Sequence, residues 1–144
     1  MSNIWLFYAL GAALFGGLIP IFSKIGLKNL DTNTATAVRA LVMAVFLIGV
    51  VVFQGKTNQL PIIFANHRAL LFIVLSGIAG AISWLFYFLA LKFGTVYQVA
   101  PLDRLSLVFA IVFAVILLGE KLNWTSGLGA IIMVIGAVLI SLGK

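Results

Sequence analysis

The stretch from Gly94 to Lys121, GTVYQVAPLDRLSLVFAIVFAVILLGEK, constrains this chain more than any other. It is apolar and long enough to cross a bilayer, for which about 20 residues suffice. Yet it carries Pro101 and the adjacent charges Asp103 and Arg104 in its first half. An ionised side chain near the bilayer centre costs about 2.5–3.5 kcal/mol on insertion scales, so a helix that keeps one turns it toward protein or water. Pro101 has no N–H to give the Tyr97 carbonyl, and its ring crowds that carbonyl, which predicts a kink. A broken, charged helix in a hydrophobic protein is the usual mark of a pathway through the membrane.

Composition supports that setting. The chain is 64% hydrophobic and 8% charged, with a mean hydropathy of +1.27. Soluble domains carry about a quarter charged residues, so an all-α integral membrane protein is expected. The net charge of +6 is no nucleic-acid footprint. The nine Lys and Arg sit singly near the ends of hydrophobic segments, where such residues anchor to headgroups and set orientation. There is no cysteine, hence no disulfide, thiol or Fe–S site. The lone His67, beside Arg68 in a loop, reads as a solvated residue and no metal is expected. No nucleophile–base pair, phosphate loop or cofactor motif is visible, so neither an enzyme nor an ATP-driven pump is supported.

Five spans are expected, at about 4–23, 34–53, 69–91, 95–118 and 124–142. The first lacks a basic leader, and Trp5, Tyr8 and Pro20 make it a full span rather than a cleavable signal. Gly16, Gly17 and Pro20 weaken it, either as a kink lining a cavity or as ordinary transmembrane Gly and Pro. Asp31 or Thr32 is a candidate N-cap for the second span. Arg39, one to two turns inside that span, either snorkels to the surface or faces inward to meet an anion or Asp103. The break from Gln54 to Arg68 has a mildly apolar middle, Leu60–Ala65, suited to lying along the interface. In the third span Ser76, Gly80, Ser83 and Tyr87 share one helical face bordered by Trp84, which points toward protein or a cavity. The last span is uncharged, with Gly129 and Gly136 on a flat face for close helix contact.

An odd number of spans puts the two ends on opposite sides. The loop lysines and arginines then divide almost evenly: Lys56, Arg68 and Lys121 against Lys24, Lys28, Lys92 and Lys144. Arg39 and Arg104, counted with the second group, favour a cytoplasmic C-terminus. Such weak bias is compatible with insertion both ways, and two oppositely inserted copies would form an inverted pair with a site near the midplane.

From Ser83 onward the sequence resembles the EamA family of the drug/metabolite transporter superfamily. The runs that carry this are WLFYFLALKFG (84–94), VAPLDRLSLVFAIVFAVILLGEKL (99–122) and GLGAIIMVIGAVLISL (127–142), with LFGGLIPIFSKIGL (14–27) similar to the family's opening helix. The likeness covers essentially the whole chain as one repeat, and APLDRLS (100–106) resembles the single-repeat members. It implies a five-helix half that pairs, with itself or a sister protein, into a ten-helix inverted-repeat exporter or exchanger of small metabolites or drugs in the cytoplasmic (inner) membrane. It also implies a cavity lined by the first four helices. The small multidrug resistance family, a four-helix relative, keeps its proton-coupling glutamate in the first helix. No acid occurs there in this chain.

The substrate-binding candidates are Tyr8, Ser83, Trp84, Tyr87, Tyr97, Gln98 and Arg39, which offer π faces, hydrogen bonds and a cation to a small amphipathic solute. An aromatic near a helix end is as often an interface anchor, a reading that suits Trp5 and Trp124 best. Asp103 and Arg104 form the candidate charge network. Asp103 either carries a coupling proton or pairs structurally with Arg39 or Arg104. Pro101, with Gly16, Gly17 and Pro20, marks candidate hinges, and Glu120 reads as an interfacial acid. Two other functions stay open: movement of a lipid-linked intermediate, and a non-transporting subunit that completes another carrier.

Overall fold

A computed structural model describes residues 4–143; Lys144, one of the lysines in the charge count above, lies outside them. The described residues form α-helices and one short 3₁₀ turn, with no strand among them. They are α1 (Ile4–Gly26), α2 (Thr32–Phe53), α3 (Leu60–Ala65), α4 (His67–Phe93), α5 (Val96–Asp103), α6 (Leu105–Leu118) and α7 (Trp124–Leu142), with the 3₁₀ turn at Thr57–Gln59. Five helical segments are long and apolar enough to span a membrane: α1, α2, α4, α5 and α6 taken together, and α7. The protein is an all-α multi-pass membrane protein.

Local chemistry sets most of the boundaries. Asp31 is the N-cap of α2, and its Oδ1 accepts from the Thr34 N–H and the Thr34 hydroxyl, each at 2.8 Å. Between α4 and α5 the chain turns in two residues. A Cβ at Gly94 would lie 2.8 Å from Val99 Cγ2 and 3.2 Å from the Ala90 carbonyl, so the turn needs glycine there. Gly119, at φ +69°, ends α6 in the left-handed conformation. The apolar run Leu60–Ala65 forms α3, with Leu60, Ile62, Ile63 and Phe64 all exposed.

Pro101 does not break its helix where its missing donor first predicts. The helix continues to Asp103, and the change of step falls at Arg104, whose N–H reaches back three residues to the Pro101 carbonyl at 3.1 Å. Losing one rung loosens the ladder, and it tightens into a 3₁₀-type turn three residues later. In α1, by contrast, Pro20 lies inside one continuous helix and is buried. There the expected weakness causes no interruption.

Two compact units divide the chain: one holds residues 26–89, the other residues 1–25 and 90–144. In the first, α2 and the body of α4 meet through Arg39 and the Trp84–Phe88 segment. In the second, α5 and α6 pack on α7, and the end of α1 meets the end of α4. Among the described residues, buried apolar side chains are few: Pro20, Phe88, Leu91 and Ala137. In a bilayer this costs little, because lipid tails are as apolar as the side chains that face them.

Candidate functional site

In the first unit the side chains cluster around Trp84. The Arg39 guanidinium lies over its ring, with Cζ 3.6 Å from the centroid, and 5.4 Å from that of Phe88. Tyr87 meets Trp84 edge-to-face at 5.8 Å, and Phe88 lies tilted against it at 5.2 Å. One turn of α4 thus supplies all three rings at i, i+3 and i+4. Within this unit no carboxylate or carbonyl among the described residues takes a hydrogen bond from the Arg39 side chain. The unit's single acid, Asp31, caps α2.

Depth bears on the two readings of Arg39. Trp84 lies about 13 Å from the Phe93 end of α4 at 1.5 Å per residue, close to the middle of a hydrocarbon core about 30 Å thick. That depth favours the inward reading of Arg39 over snorkelling. A desolvated cation–π contact offers about 2 kcal/mol. That offsets much, but not all, of the about 2.5–3.5 kcal/mol that an arginine costs there.

The second unit holds the charged break. Arg104 reaches across to α1, where its Nη2 sits 3.7 Å from the position of a Cβ on Gly16. Gly16 lies about 15 Å from the Gly26 end of α1, and a Cβ there would meet the guanidinium at ordinary van der Waals distance. Arg104 is exposed and Asp103 half-buried. As their 100° separation on a helix requires, the two do not pair with each other. Tyr97, half exposed, donates its hydroxyl to the Gly143 carbonyl at 3.4 Å. Gln98 works as part of a helix cap: its Oε1 accepts from the Thr95 hydroxyl at 2.7 Å and the Thr95 N–H at 3.3 Å.

The other candidates lie apart from these clusters. Tyr8 is exposed on α1 beside Phe7, and Ser83 is exposed on α4. Within the stripe containing Ser83, Gly80 and Tyr87 are half-buried, whereas Ser76 and Ser83 are not. Gly17, Gly129 and Gly136 have no atom within 4 Å of an added Cβ, so the flat face of α7 is open. Glu120 is exposed, and its N–H donates to the Ala114 carbonyl at 3.2 Å. Between α6 and α7 runs an apolar groove of about 550 Å³, lined by Val108, Ile111, Trp124, Gly127 and Ile131 among others.

Sequence reasoning missed two contributors. Phe88 was signalled only by its place four residues after Trp84. Lys24 had been assigned to the headgroups with the other cations. Its Nζ instead donates to the Leu91 carbonyl and, at 2.7 Å, to that of Gly94. A cation on the last carbonyls of α4 meets the negative end of the helix dipole.

Comparison with known proteins agrees with this architecture. No solved structure matches the chain. A protein of Sinorhizobium sp described as an uncharacterized transporter in the cobO 3' region is 40% identical over 144 residues, covering 98% of this chain and 99% of the relative. The model of the EamA-like transporter family matches residues 3–142. A chain of five apolar spans, matched over nearly its full length, is a membrane transporter and belongs to the EamA-like transporter family.

Proposed function

We propose that this chain is one half of a secondary carrier of small organic solutes. Two copies, inserted in opposite orientations in the cytoplasmic (inner) membrane, form a ten-helix inverted pair and export or exchange solutes by alternating access. The carrying observation is the fourth span, which changes step at Arg104 with Asp103 and Arg104 at the break. Discontinuous helices with charged groups at midplane depth are the usual building material of carrier sites. The near balance of cationic residues between the two sides supports dual insertion. The open small-residue face of α7, with Gly129 and Gly136, supports packing against a second copy or a homologous sister subunit.

The 1–144 chain acts as a single transmembrane domain in this reading. The apolar groove between α6 and α7 favours the alternative of moving a lipid-linked intermediate, since an acyl chain fits its lining. Its named walls carry no charge that could hold a headgroup, so the solute reading is preferred.

The decisive experiment labels single cysteines placed at either end of this cysteine-free chain in native membranes. Labelling of each end from both sides is expected. Labelling from one side only sinks the self-sufficient inverted pair and points to a sister subunit. Asp103→Asn is expected to abolish pH-driven uptake while leaving dimer formation intact. Unchanged uptake removes Asp103 from the coupling role.

A further inference from the structure

We infer that the Arg39 guanidinium, stacked on Trp84, recognises an oxyanion group, carboxylate or phosphate, on the solute this protein moves. The inference rests on the carrier reading above and names its substrate class.

Stacking uses the face of the guanidinium and leaves its edge. The five N–H donors of arginine lie in the plane of the group, in a fork that matches the two oxygens of a carboxylate or phosphate. With Cζ 3.6 Å above Trp84, and with Phe88 beyond, that plane is fixed against α4 before any ligand arrives. Little ordering is left for the ligand to induce. Within the unit none of the described residues accepts from the fork, and Arg39 as a residue is only half-buried.

A cation at this depth calls for an anionic partner, and a bound oxyanion supplies one. The edge-to-face Tyr87 and the buried Phe88 hold Trp84 in place, which makes them positioning residues. A lipid phosphate carries the same chemistry, but headgroups lie at the surface and Trp84 about 13 Å along α4 from its end. Depth therefore favours a solute.

Trp84 itself reports the event. The chain has three tryptophans, so Trp5→Phe with Trp124→Phe leaves Trp84 as the sole emitter. The full-length protein in phosphatidylcholine nanodiscs is titrated with benzoate, inorganic phosphate and the neutral benzyl alcohol. A saturable change in emission is expected with at least one of the two anions and none with benzyl alcohol. Arg39→Gln abolishes it. Arg39→Lys keeps the charge but loses the fork, and weakens apparent affinity by about tenfold. This second variant guards against misfolding of the first.

An equal response to benzyl alcohol, a response unchanged in both variants, or none to either anion overturns the inference. If phosphatidylglycerol nanodiscs alone produce the change and benzoate adds nothing, the fork serves a lipid headgroup and the solute assignment falls. Benzoate flux into proteoliposomes separates this from the carrier reading. Binding without flux refutes the carrier and leaves the anion site. Flux unaffected by Arg39→Gln does the reverse.

Discussion

Arg39 and Arg104 lie at similar depths in their helices, and the chain accommodates them differently. Arg39 rests on aromatic faces, with Trp84 at 3.6 Å and the buried Phe88 behind. Arg104 lies beside Gly16 of α1 and is exposed. The first arrangement immobilises the guanidinium and leaves its edge unengaged. The second sits at the change of step in a helix, so its position follows whatever that turn does. Stacking suits recognition, and a charge at a broken rung suits movement. This difference argues for separate roles in one transport cycle.

Substitutions can break that division. The largest effect is expected from Arg39→Gln, which should lower solute flux by about a hundredfold, the worth of a charged hydrogen-bonded contact of about 3 kcal/mol. Its melting temperature in detergent should hold or rise, because a costly intramembrane charge goes with it. A sharp fall in melting temperature with flux preserved would make Arg39 structural. Next comes Trp84→Leu, which removes the stack but keeps the cation. Loss of about 1–2 kcal/mol of cation–π attraction implies about a tenfold weaker apparent affinity with the maximal rate nearly kept. A change in rate alone would place Trp84 in the moving part instead.

Arg104 should show the opposite split. Gly16→Leu fills the space under its guanidinium and should slow flux several-fold at unchanged apparent affinity, matching Arg104→Gln. If the two variants differ, Gly16 matters for something other than seating Arg104. The smallest effect is expected from Lys24→Met, a cation whose task is to close the end of α4. Loss of its bonds to the Leu91 and Gly94 carbonyls should lower stability by about 1 kcal/mol, read in thermal unfolding, with affinity unchanged.

Much of this was legible in sequence because the bilayer imposes a simple length rule. Hydropathy pointed to five spans, and of the two cap candidates, Asp31 and Thr32, it is Asp31 that caps α2. Contacts between distant segments were not legible. Nothing in the sequence pairs Arg39 with Trp84, or Lys24 with carbonyls of Leu91 and Gly94, because backbone acceptors leave no residue signature. Pro101 marked the right segment but not the right residue, since a missing donor permits a break without fixing which rung yields. Gln98 carries a local role that its sequence position did not single out. Its Oε1 accepts from Thr95, so the side chain helps to cap α5 as well as standing among the candidate solute contacts.

The depth of Arg39 also has an electrical consequence. A fixed positive charge near the level of Trp84 lies well inside the membrane's electric field, where a full crossing of one charge is worth about 2.3 kcal/mol per 100 mV. Any step that changes its exposure to either side then moves part of a charge through the voltage. With a monovalent oxyanion such as a carboxylate on the fork the net charge is cancelled and that step becomes nearly voltage-independent. Membrane potential would therefore act on the empty protein more than on the loaded one, and so on the return stroke of the cycle.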